Sequence, residues 1–484
     1  MYQTYIGSAR PFVNNGAFAL WPFKLGPFIF GHSMSRKVEL LAPAGSLKTM
    51  RYAFAYGADA VYAGAARYSL RMRGNEFNDD NLKIAIDEAH GQGKLFFLTV
   101  NAMPHNYKLQ TAVRDLTPTL QAGPDACIMS DPGLIMLVKD AFPDMPIHLS
   151  VQANSMNWAS VKFWQRNGIS RIILSRELSL DEIQEIRQQC PDIELEVFVH
   201  GALCIAYSGR CLLSGYFNNR DPNQGVCNNA CRWKYKTHGA EENAGDFIPT
   251  PDRIFAPDSL QGLSANGLTD PKDRHPLADQ TYFLEDVQRP GEYMEITEDD
   301  HGTYIMNSRD LRAIEHVGEL VRIGVDCLKI EGRTQSHYYA ARTAQLYRRA
   351  IDDALAGRPF NPDLNLQLEG LANRGYTDGF FVRRQIKAQQ NYATGSSNSA
   401  TQQFVGEVRS YDPASGLATV EVKNQFKRGD SLEIIDPQGN RSAVVERIVE
   451  EKSGDEIEVA KGSGWIVQVP LGPVSNLTLL ARNL

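Results

Sequence analysis

The feature that most constrains the fold is a repeated alternation of short apolar runs with polar stretches of helical spacing. Continuous apolar runs are typical of parallel strands buried on both faces, and the helical stretches fit the crossovers between them. Eight such runs predict a TIM-type (β/α) barrel, with an open doubly wound sheet as the alternative. The runs are Val38–Ala42, Ala58–Ala63, Leu95–Val100, Ala126–Met129, Ile147–Val151, Arg171–Leu174, Glu194–Val199 and Val325–Ile330.

The alternation breaks between the seventh and eighth runs. More than 120 residues separate Val199 from Val325, far more than a βα connection needs. We therefore predict a barrel domain over residues 34–357 with an insertion, residues 201–324, before its last strand. Inside the insertion, residues 238–272 have the Gly/Asp/Pro composition of an exposed loop. Residues 307–316 predict a helix that begins at a Ser308 cap.

The chain after the barrel changes character. A helix is predicted over Ser336–Leu355, and residues 358–402 are interpreted as a connecting segment and linker. Residues 403–484 alternate apolar and polar positions between frequent turns, which predicts a small antiparallel β-barrel. Its predicted strands are Phe404–Val408, Ala418–Val422, Ser431–Ile435 and Ala443–Ile448.

Residues 1–33 differ from everything that follows. Their apolar stretch is interrupted by Pro22, Lys24 and Pro27 and is too short to span a bilayer. We interpret this segment as a dispensable N-terminal extension, with a membrane-surface anchor as the alternative.

Composition limits the partners and the compartment. The formal net charge is −7, from 50 Lys and Arg against 57 Asp and Glu, so an RNA partner would need a local basic patch. Seven cysteines in a chain of 484 residues are an odd number, which argues against a secreted disulfide framework. We therefore expect a cytoplasmic protein with no membrane association.

The insertion contains four cysteines in a stretch of 28 residues: Cys204, Cys211, Cys227 and Cys231. A thiolate quartet suits an iron–sulfur cluster or structural zinc. The irregular spacing, without paired C-x2-C knuckles, favours the iron–sulfur cluster, while zinc and inert buried cysteines remain alternatives. The other three cysteines, Cys127, Cys190 and Cys327, are predicted to pack in the core.

Active sites of such barrels lie at the carboxyl ends of the strands. That rule selects His200, Glu331 and Arg333 as candidate catalytic residues. The candidate substrate-binding residues are Arg71, Arg73, Asn101, Gln152, Asn154, Arg176 and Glu177.

Two arginines at one barrel mouth, Arg176 and Arg333, are suited to a dicarboxylate. Each candidate also has a structural interpretation. The glutamates Glu177 and Glu331 are equally explained as salt-bridge partners, and His200 as a satisfied core histidine. Arg71 and Arg73 need no explanation as surface arginines.

Several segments together resemble a known family. The segments are Glu196–Cys204, Gly209–Ser214, Glu39–Gly45, Ala58–Gly64 and Leu328–Arg333. They are similar to the signature of peptidase family U32, the collagenase-like proteases, from about Met34 to the C-terminus. Tyr68–Arg71, Asp221–Gly225 and the C-terminal β-domain are most similar to the members that hydroxylate tRNA.

The resemblance implies an enzyme that hydroxylates C5 of the tRNA wobble uridine to give 5-hydroxyuridine. It also implies an oxygen-independent reaction with prephenate as co-substrate and a 4Fe–4S cluster as cofactor. Cys204, Cys211 and Cys227 match ligand positions of the family, and Cys231 is the nearest candidate for the fourth. The expected partners are the tRNA anticodon loop and the iron–sulfur assembly machinery.

Three alternatives remain beside this interpretation. One is a hydroxylase of ribosomal RNA or of a quinone precursor, and another is a zinc-stabilised binding protein. The third is the peptidase of the family name, although neither G-x-S-x-G nor H-E-x-x-H occurs in the sequence. For tRNA phosphates we consider arginines and a lysine that follow the barrel, although a charge run on a helix is usually a solvated face: Arg342, Arg348, Arg349, Arg383, Arg384 and Lys387.

Overall fold

A computed structural model describes most of the chain after residue 36. The described residues are 37–65, 67–70, 75–203, 235–243, 246–254, 282–286, 291, 293–296, 309–373, 375–382 and 401–484. The predictions on the following residues lie outside these ranges: 1–33, Arg71, Arg73, the four clustered cysteines, Ser308, Arg383, Arg384 and Lys387.

The strands are numbered here in chain order. Those up to the last barrel strand are β1 (Glu39–Pro43), β2 (Ala60–Gly64), β3 (Leu95–Val100), β4 (Ala126–Met129), β5 (Ile147–Leu149), β6 (Arg171–Ile173), β7 (Glu194–Ala202), β8 (Tyr235–Asn243), β9 (Asp246–Ile254), β10 (Tyr282–Asp286), β11 (Tyr293–Ile296), β12 (Asp310–Arg312) and β13 (Cys327–Ile330). The later ones are β14 (Tyr376–Thr377), β15 (Gln402–Asp412), β16 (Leu417–Val422), β17 (Phe426–Lys427), β18 (Ser431–Ile435), β19 (Arg441–Val444), β20 (Val449–Glu450), β21 (Val459–Ala460), β22 (Ile466–Val469) and β23 (Leu479–Asn483).

The helices mostly follow the barrel strands. They are α1 (Leu47–Ala55), α2 (Asp79–Gly91), α3 (Asn106–Gln121), α4 (Pro132–Ala141), α5 (Trp158–Arg166), α6 (Leu180–Gln189), α7 (Val317–Ile323), α8 (His337–Leu355) and α9 (Asp363–Glu369). Polar caps in the sequence fix several starts: Ser179 and Glu182 form a capping box on α6, and Ser336 caps α8. Among the helices that the structure describes, none has the length and apolar composition of a membrane-crossing segment.

Eight parallel strands close into the predicted TIM-type barrel. The order is β13-β1-β2-β3-β4-β5-β6-β7, and β13 also pairs with β7 in parallel, which closes the ring. The open-sheet alternative is therefore excluded. The strands are almost wholly buried because helices cover their outer faces and side chains fill the interior.

Two predictions about the insertion are wrong. Residues 235–254, expected in part to be loop, contain β8 and β9, which pair antiparallel and continue through β10 to β11. Residues 310–312, expected to be helical, form β12, which pairs antiparallel with the end of β7 and parallel with β14. The helix begins only at Val317, after a 3-10 turn at Ile314–His316.

The C-terminal residues form the predicted antiparallel β-domain. Seven strands make one sheet in the order β19-β18-β23-β15-β16-β22-β20, a half-barrel, with β17 and β21 as a separate pair. Phe426 fills its core, whereas Tyr411 and Trp465 are partly buried against it. Phe404 faces the other way and stacks on Tyr338 of α8 at 4.5 Å between ring centroids.

The β-domain is bound to the barrel through α1 and α8, which pack on each other. Tyr56, directly after α1, donates its hydroxyl hydrogen to the carbonyl of Ile435 at 2.6 Å. Arg342 on α8 is 1% exposed and its Nη2 lies 2.9 Å from Glu433 Oε1 of β18. The expectation that Arg342 contacts RNA is therefore wrong, because its guanidinium is buried and forms an ion pair with Glu433.

Truncation of the interdomain carboxylate should be strongly destabilising. We expect Glu433→Ala to lower the free energy of unfolding by about 2–5 kcal/mol, because Arg342 would keep a buried, unpaired charge. Urea denaturation measures this loss. The control is Arg409→Ala, which breaks a pair between a half-exposed arginine and Glu421 and should cost about 1 kcal/mol or less. Equal losses in the two variants would contradict the prediction.

Candidate active site

A cavity lies at the carboxyl ends of the barrel strands. This is the end at which barrel enzymes carry their active sites. We call it the barrel pocket, and its lining residues are Tyr62, Leu70, Thr99, Asn101, Ile128, Ser150, Val151, Gln152, Ile173, Arg176, Phe198, Lys329, Glu331 and Arg333.

The structure brings together five of the residues selected from the sequence. Asn101, Gln152, Arg176, Glu331 and Arg333 all line the barrel pocket. They follow β3, β5, β6 and β13, so only the closed barrel makes them neighbours.

Asn154 and Glu177 follow the same strands but do not line the pocket. Asn154 adopts a left-handed conformation with φ 58°. Its Oδ1 accepts a hydrogen bond from the Ser175 hydroxyl at 2.8 Å. Asn154 therefore ties together the loops that follow β5 and β6.

His200 lies on the outer side of the barrel wall because of a bulge in β7. Lys329 pairs with Phe198, but the next residue, Ile330, pairs with His200. The extra residue, Val199, shifts the side-chain alternation by one position. Phe198 therefore lines the pocket, whereas His200 contacts α8 outside it.

The surroundings of His200 are aromatic. Its ring lies 5.4–5.8 Å from the rings of Tyr339, Tyr347 and Tyr376. Burial, and secondly the charge of Arg312, lowers the pKa of His200 to about 3. The imidazole is therefore neutral at physiological pH, and its catalytic role stays a prediction.

The two pocket arginines are largely committed to protein acceptors. Arg333 Nη1 donates to Ser69 Oγ at 2.8 Å, and Nη2 donates to the Leu70 carbonyl at 2.6 Å. Arg176 Nη1 donates to the Ala202 carbonyl at 2.9 Å, and Nη2 donates to Glu331 at 3.4 Å. The predicted fork of two guanidinium groups around a dicarboxylate is thus not preformed. Instead, Arg333 holds the loop after β2 against the pocket.

The sequence interpretation missed Lys329. This lysine lines the pocket, is 2% exposed, and donates from Nζ to Glu196 Oε1 at 2.7 Å. It was overlooked because it stands inside an apolar run. The signal was present, since Lys329, Glu331 and Arg333 alternate with period two and therefore share one face of the strand and its extension.

Lys329 is the inner end of a buried ion chain. Glu196 also accepts from Arg171 Nη1 at 3.4 Å, and Arg171 Nη1 donates to Glu39 at 2.6 Å. Glu39 and Arg171 begin β1 and β6, so the chain runs from the amino ends of the strands to the pocket floor. We refer to Glu39, Arg171, Glu196 and Lys329 as the ion chain.

The cysteines that the structure describes are poor metal ligands. Burial raises the pKa of the Cys127 thiol to about 12 and also raises those of Cys190 and Cys327. Metals bind the thiolate, so these three remain protonated core residues, as predicted. Any thiolate site must therefore use cysteines of the insertion.

Another group with metal-binding atoms lies outside the pocket. Glu315, His316 and Asp378 have ligand atoms within 4.8 Å of one another. His316 Nε2 lies 3.8 Å from each carboxylate, which an ordinary ion pair explains.

Comparison with known proteins identifies the family. The sequence profile of peptidase family U32 matches residues 45–391, and that of the U32 C-terminal domain matches residues 400–481. The chain belongs to peptidase family U32. The chain is 57% identical to tRNA hydroxylation protein P of Escherichia coli strain K12, over 92% of this chain and 97% of that protein.

Two further U32 relatives are similar over much of the chain. The protein of the same name from Haemophilus influenzae is 56% identical over 93% of this chain and 96% of its own length. The E. coli 23S rRNA 5-hydroxycytidine C2501 synthase is 27% identical over 84% of this chain and 52% of that protein. Despite the family name, the described residues that line the barrel pocket include neither cysteine nor histidine, so these residues provide no nucleophile–histidine pair.

The buried imidazole predicts a specific acid sensitivity. His200 has a folded-state pKa far below its ordinary value, so the unfolded chain binds a proton between about pH 6.5 and 3 that the folded chain does not. Stability should therefore fall on acidification, by about 3 kcal/mol between pH 6.5 and 4 from this group. Urea denaturation of wild type and His200→Phe should show a shallower pH dependence in the variant.

The matched control for this prediction is His105→Phe, at an exposed histidine. It should keep the wild-type pH dependence. Parallel curves for wild type and His200→Phe would show that His200 is not held neutral.

Proposed function

We propose that this chain hydroxylates tRNA at C5 of the wobble uridine, giving 5-hydroxyuridine. The observation that carries the proposal is the 57% identity, over 97% of its length, to a protein named for tRNA hydroxylation. Because tRNA is the proposed substrate, we also propose a cytoplasmic location.

The chemistry of a wobble base fits the barrel pocket. Enzymes that modify a base must take it out of its stack, and an anticodon-loop base is already single-stranded, so this cost is small. The pocket is lined by both apolar and polar side chains. Apolar residues on its wall, such as Ile128 and Val151, suit the face of a ring, while Asn101 and Gln152 offer amides.

We further propose an iron–sulfur cofactor held by Cys204, Cys211, Cys227 and Cys231, of the 4Fe–4S type. The donor set supports this, because four soft sulfur ligands suit such a cluster and the three described cysteines are kept protonated by burial. When bound, the cluster would supply one-electron redox chemistry. Supply of the cluster makes the iron–sulfur assembly machinery a partner.

Prephenate, in an oxygen-independent reaction, is the proposed co-substrate. Within the part of the chain that the structure describes, three cations line the pocket, Arg176, Lys329 and Arg333, against one carboxylate, Glu331. A cationic cavity with apolar walls supports the binding of a small cyclic organic acid.

A second candidate substrate is ribosomal RNA. The relation to the 23S rRNA 5-hydroxycytidine synthase favours it, although the lower identity makes it the weaker candidate. Nucleoside mass spectrometry of tRNA and rRNA from strains with and without the gene separates the two. We expect 5-hydroxyuridine and its derivatives to disappear from tRNA while 5-hydroxycytidine in rRNA is unchanged. The opposite pattern would reject the tRNA assignment.

The cysteine assignment makes a separate prediction. Cys204→Ala should abolish both the visible absorbance of anaerobically purified protein and the formation of 5-hydroxyuridine in a complemented deletion strain. Cys190→Ala is the control, since Cys190 is a buried thiol at the end of α6, and both signals should persist. Colourless wild-type protein with stoichiometric zinc would reject the iron–sulfur cofactor.

A further inference from the structure

We propose that Lys329 Nζ and Arg176 Nε form an anion subsite at the inner end of the barrel pocket, which binds one carboxylate group of a small organic acid. The proposal rests on the proposed function only for the identity of that acid.

The position of Lys329 is unusual for a structural lysine. Its Nζ lies 4.3 Å from the ring centroid of Tyr62 and 5.2 Å from that of Phe198. Both rings contact the ammonium, and Lys329 still lines the pocket together with them. An ammonium carries three N–H donors, and Glu196 receives one of them. The remaining donors are available to a ligand oxygen at the pocket floor.

Lys329 is already paired in the ion chain. Glu196 accepts from it at 2.7 Å, and the second cation on Glu196, Arg171 at 3.4 Å, also contacts Glu39 at 2.6 Å and Glu194 at 2.8 Å. Buried charges are tolerated when they are paired and hydrogen-bonded. The ion chain therefore fixes the position of the ammonium, and its remaining N–H donors, rather than an unpaired charge, would attract a ligand oxygen.

Arg176 supplies a second, independent donor. Its side chain is 10% exposed, and its guanidinium stacks on the Phe198 ring at 3.9 Å. The terminal nitrogens donate to Ala202 and Glu331, whereas Nε is buried with no hydrogen-bond partner in the described part of the chain. A buried N–H without an acceptor is unfavourable, and a ligand oxygen in the pocket would satisfy it. Phe198 thus lies against both cations that form the subsite.

The charge balance favours a single carboxylate over a phosphate dianion. Among the described residues, three cations and one carboxylate line the pocket, and Glu196 adds a second carboxylate behind Lys329. One positive charge is therefore left among these groups. The non-ionic part of the acid would face Ile173, another apolar residue of the pocket wall.

The test is equilibrium binding to the full-length protein in the absence of RNA. Isothermal titration calorimetry would use prephenate, benzoate and cyclohexanecarboxylate as probes, with inorganic phosphate as competitor. At least one carboxylate should bind the wild type, and phosphate should not displace it. Failure of all three acids to bind, or displacement by phosphate at comparable concentration, would overturn the proposal.

The variants separate binding from folding. Lys329→Met alone leaves Glu196 without its lysine, so the double variant Lys329→Met/Glu196→Gln removes both charges together. We expect the double variant to keep the wild-type circular dichroism spectrum and to bind the acid roughly 10- to 100-fold more weakly. Glu196→Gln alone should bind at least as tightly as wild type, which a purely structural role for the pair would not produce. Wild-type affinity in the folded double variant would overturn the proposal.

The matched control is Lys423→Met. Lys423 is a partly buried lysine with two carboxylate partners in the β-domain, outside the barrel pocket, and its loss should leave the dissociation constant unchanged. Binding of benzoate or cyclohexanecarboxylate but not prephenate, with the same dependence on Lys329, would support the subsite while rejecting prephenate. Weakened binding in the double variant with normal 5-hydroxyuridine in its tRNA would support the subsite and separate it from the proposed reaction.

Discussion

The ion chain of Glu39, Arg171, Glu196 and Lys329 links the strands between which the barrel closes. These residues come from β1, β6, β7 and β13, four neighbouring strands around the point where the ring closes. Closure there requires β7 and β13 to meet although the long insertion separates them in sequence, which has an entropic cost. Alternating buried charges oppose misregistration, because a shift of one residue would leave several of them unpaired. The ion chain ends at Lys329, which lines the barrel pocket. The same set of contacts therefore links the closing strands and places a positive charge in the pocket.

The barrel was predictable because each of its strands has a local sequence pattern. Each strand is a short apolar run, which can be recognised without knowing the strand that it pairs with. β12 was not predictable in this way. Its three residues, Asp310–Arg312, are polar at both ends and become a strand only because the bulged end of β7 and the distant β14 lie on either side of them. A helix cap was the stronger local pattern, and tertiary pairing overrode it.

The site residues were predictable where the position of a residue along its strand determines the direction of its side chain. Asn101, Gln152 and Arg176 reach the pocket because they follow strands whose carboxyl ends meet there. His200 does not, because one additional residue in β7 reverses its direction, and such a bulge has no local signature in this sequence. Arg342 shows the complementary limit. A helical arginine has the sequence pattern of a solvated face, but the domain that covers it lies about ninety residues further along.

The strand order of the β-domain has a consequence for biosynthesis. β23 lies in the interior of the seven-stranded sheet, between β15 and β18, and it leaves the ribosome after every other described strand. Until it is added, β18 lacks its inner neighbour and cannot present Glu433 to the barrel in its final position. Until then, Arg342 lacks its carboxylate partner Glu433. The nascent protein passes through a stage in which α1 and α8 expose the surface that the β-domain later covers, and this stage is where chaperone binding or premature proteolysis would act.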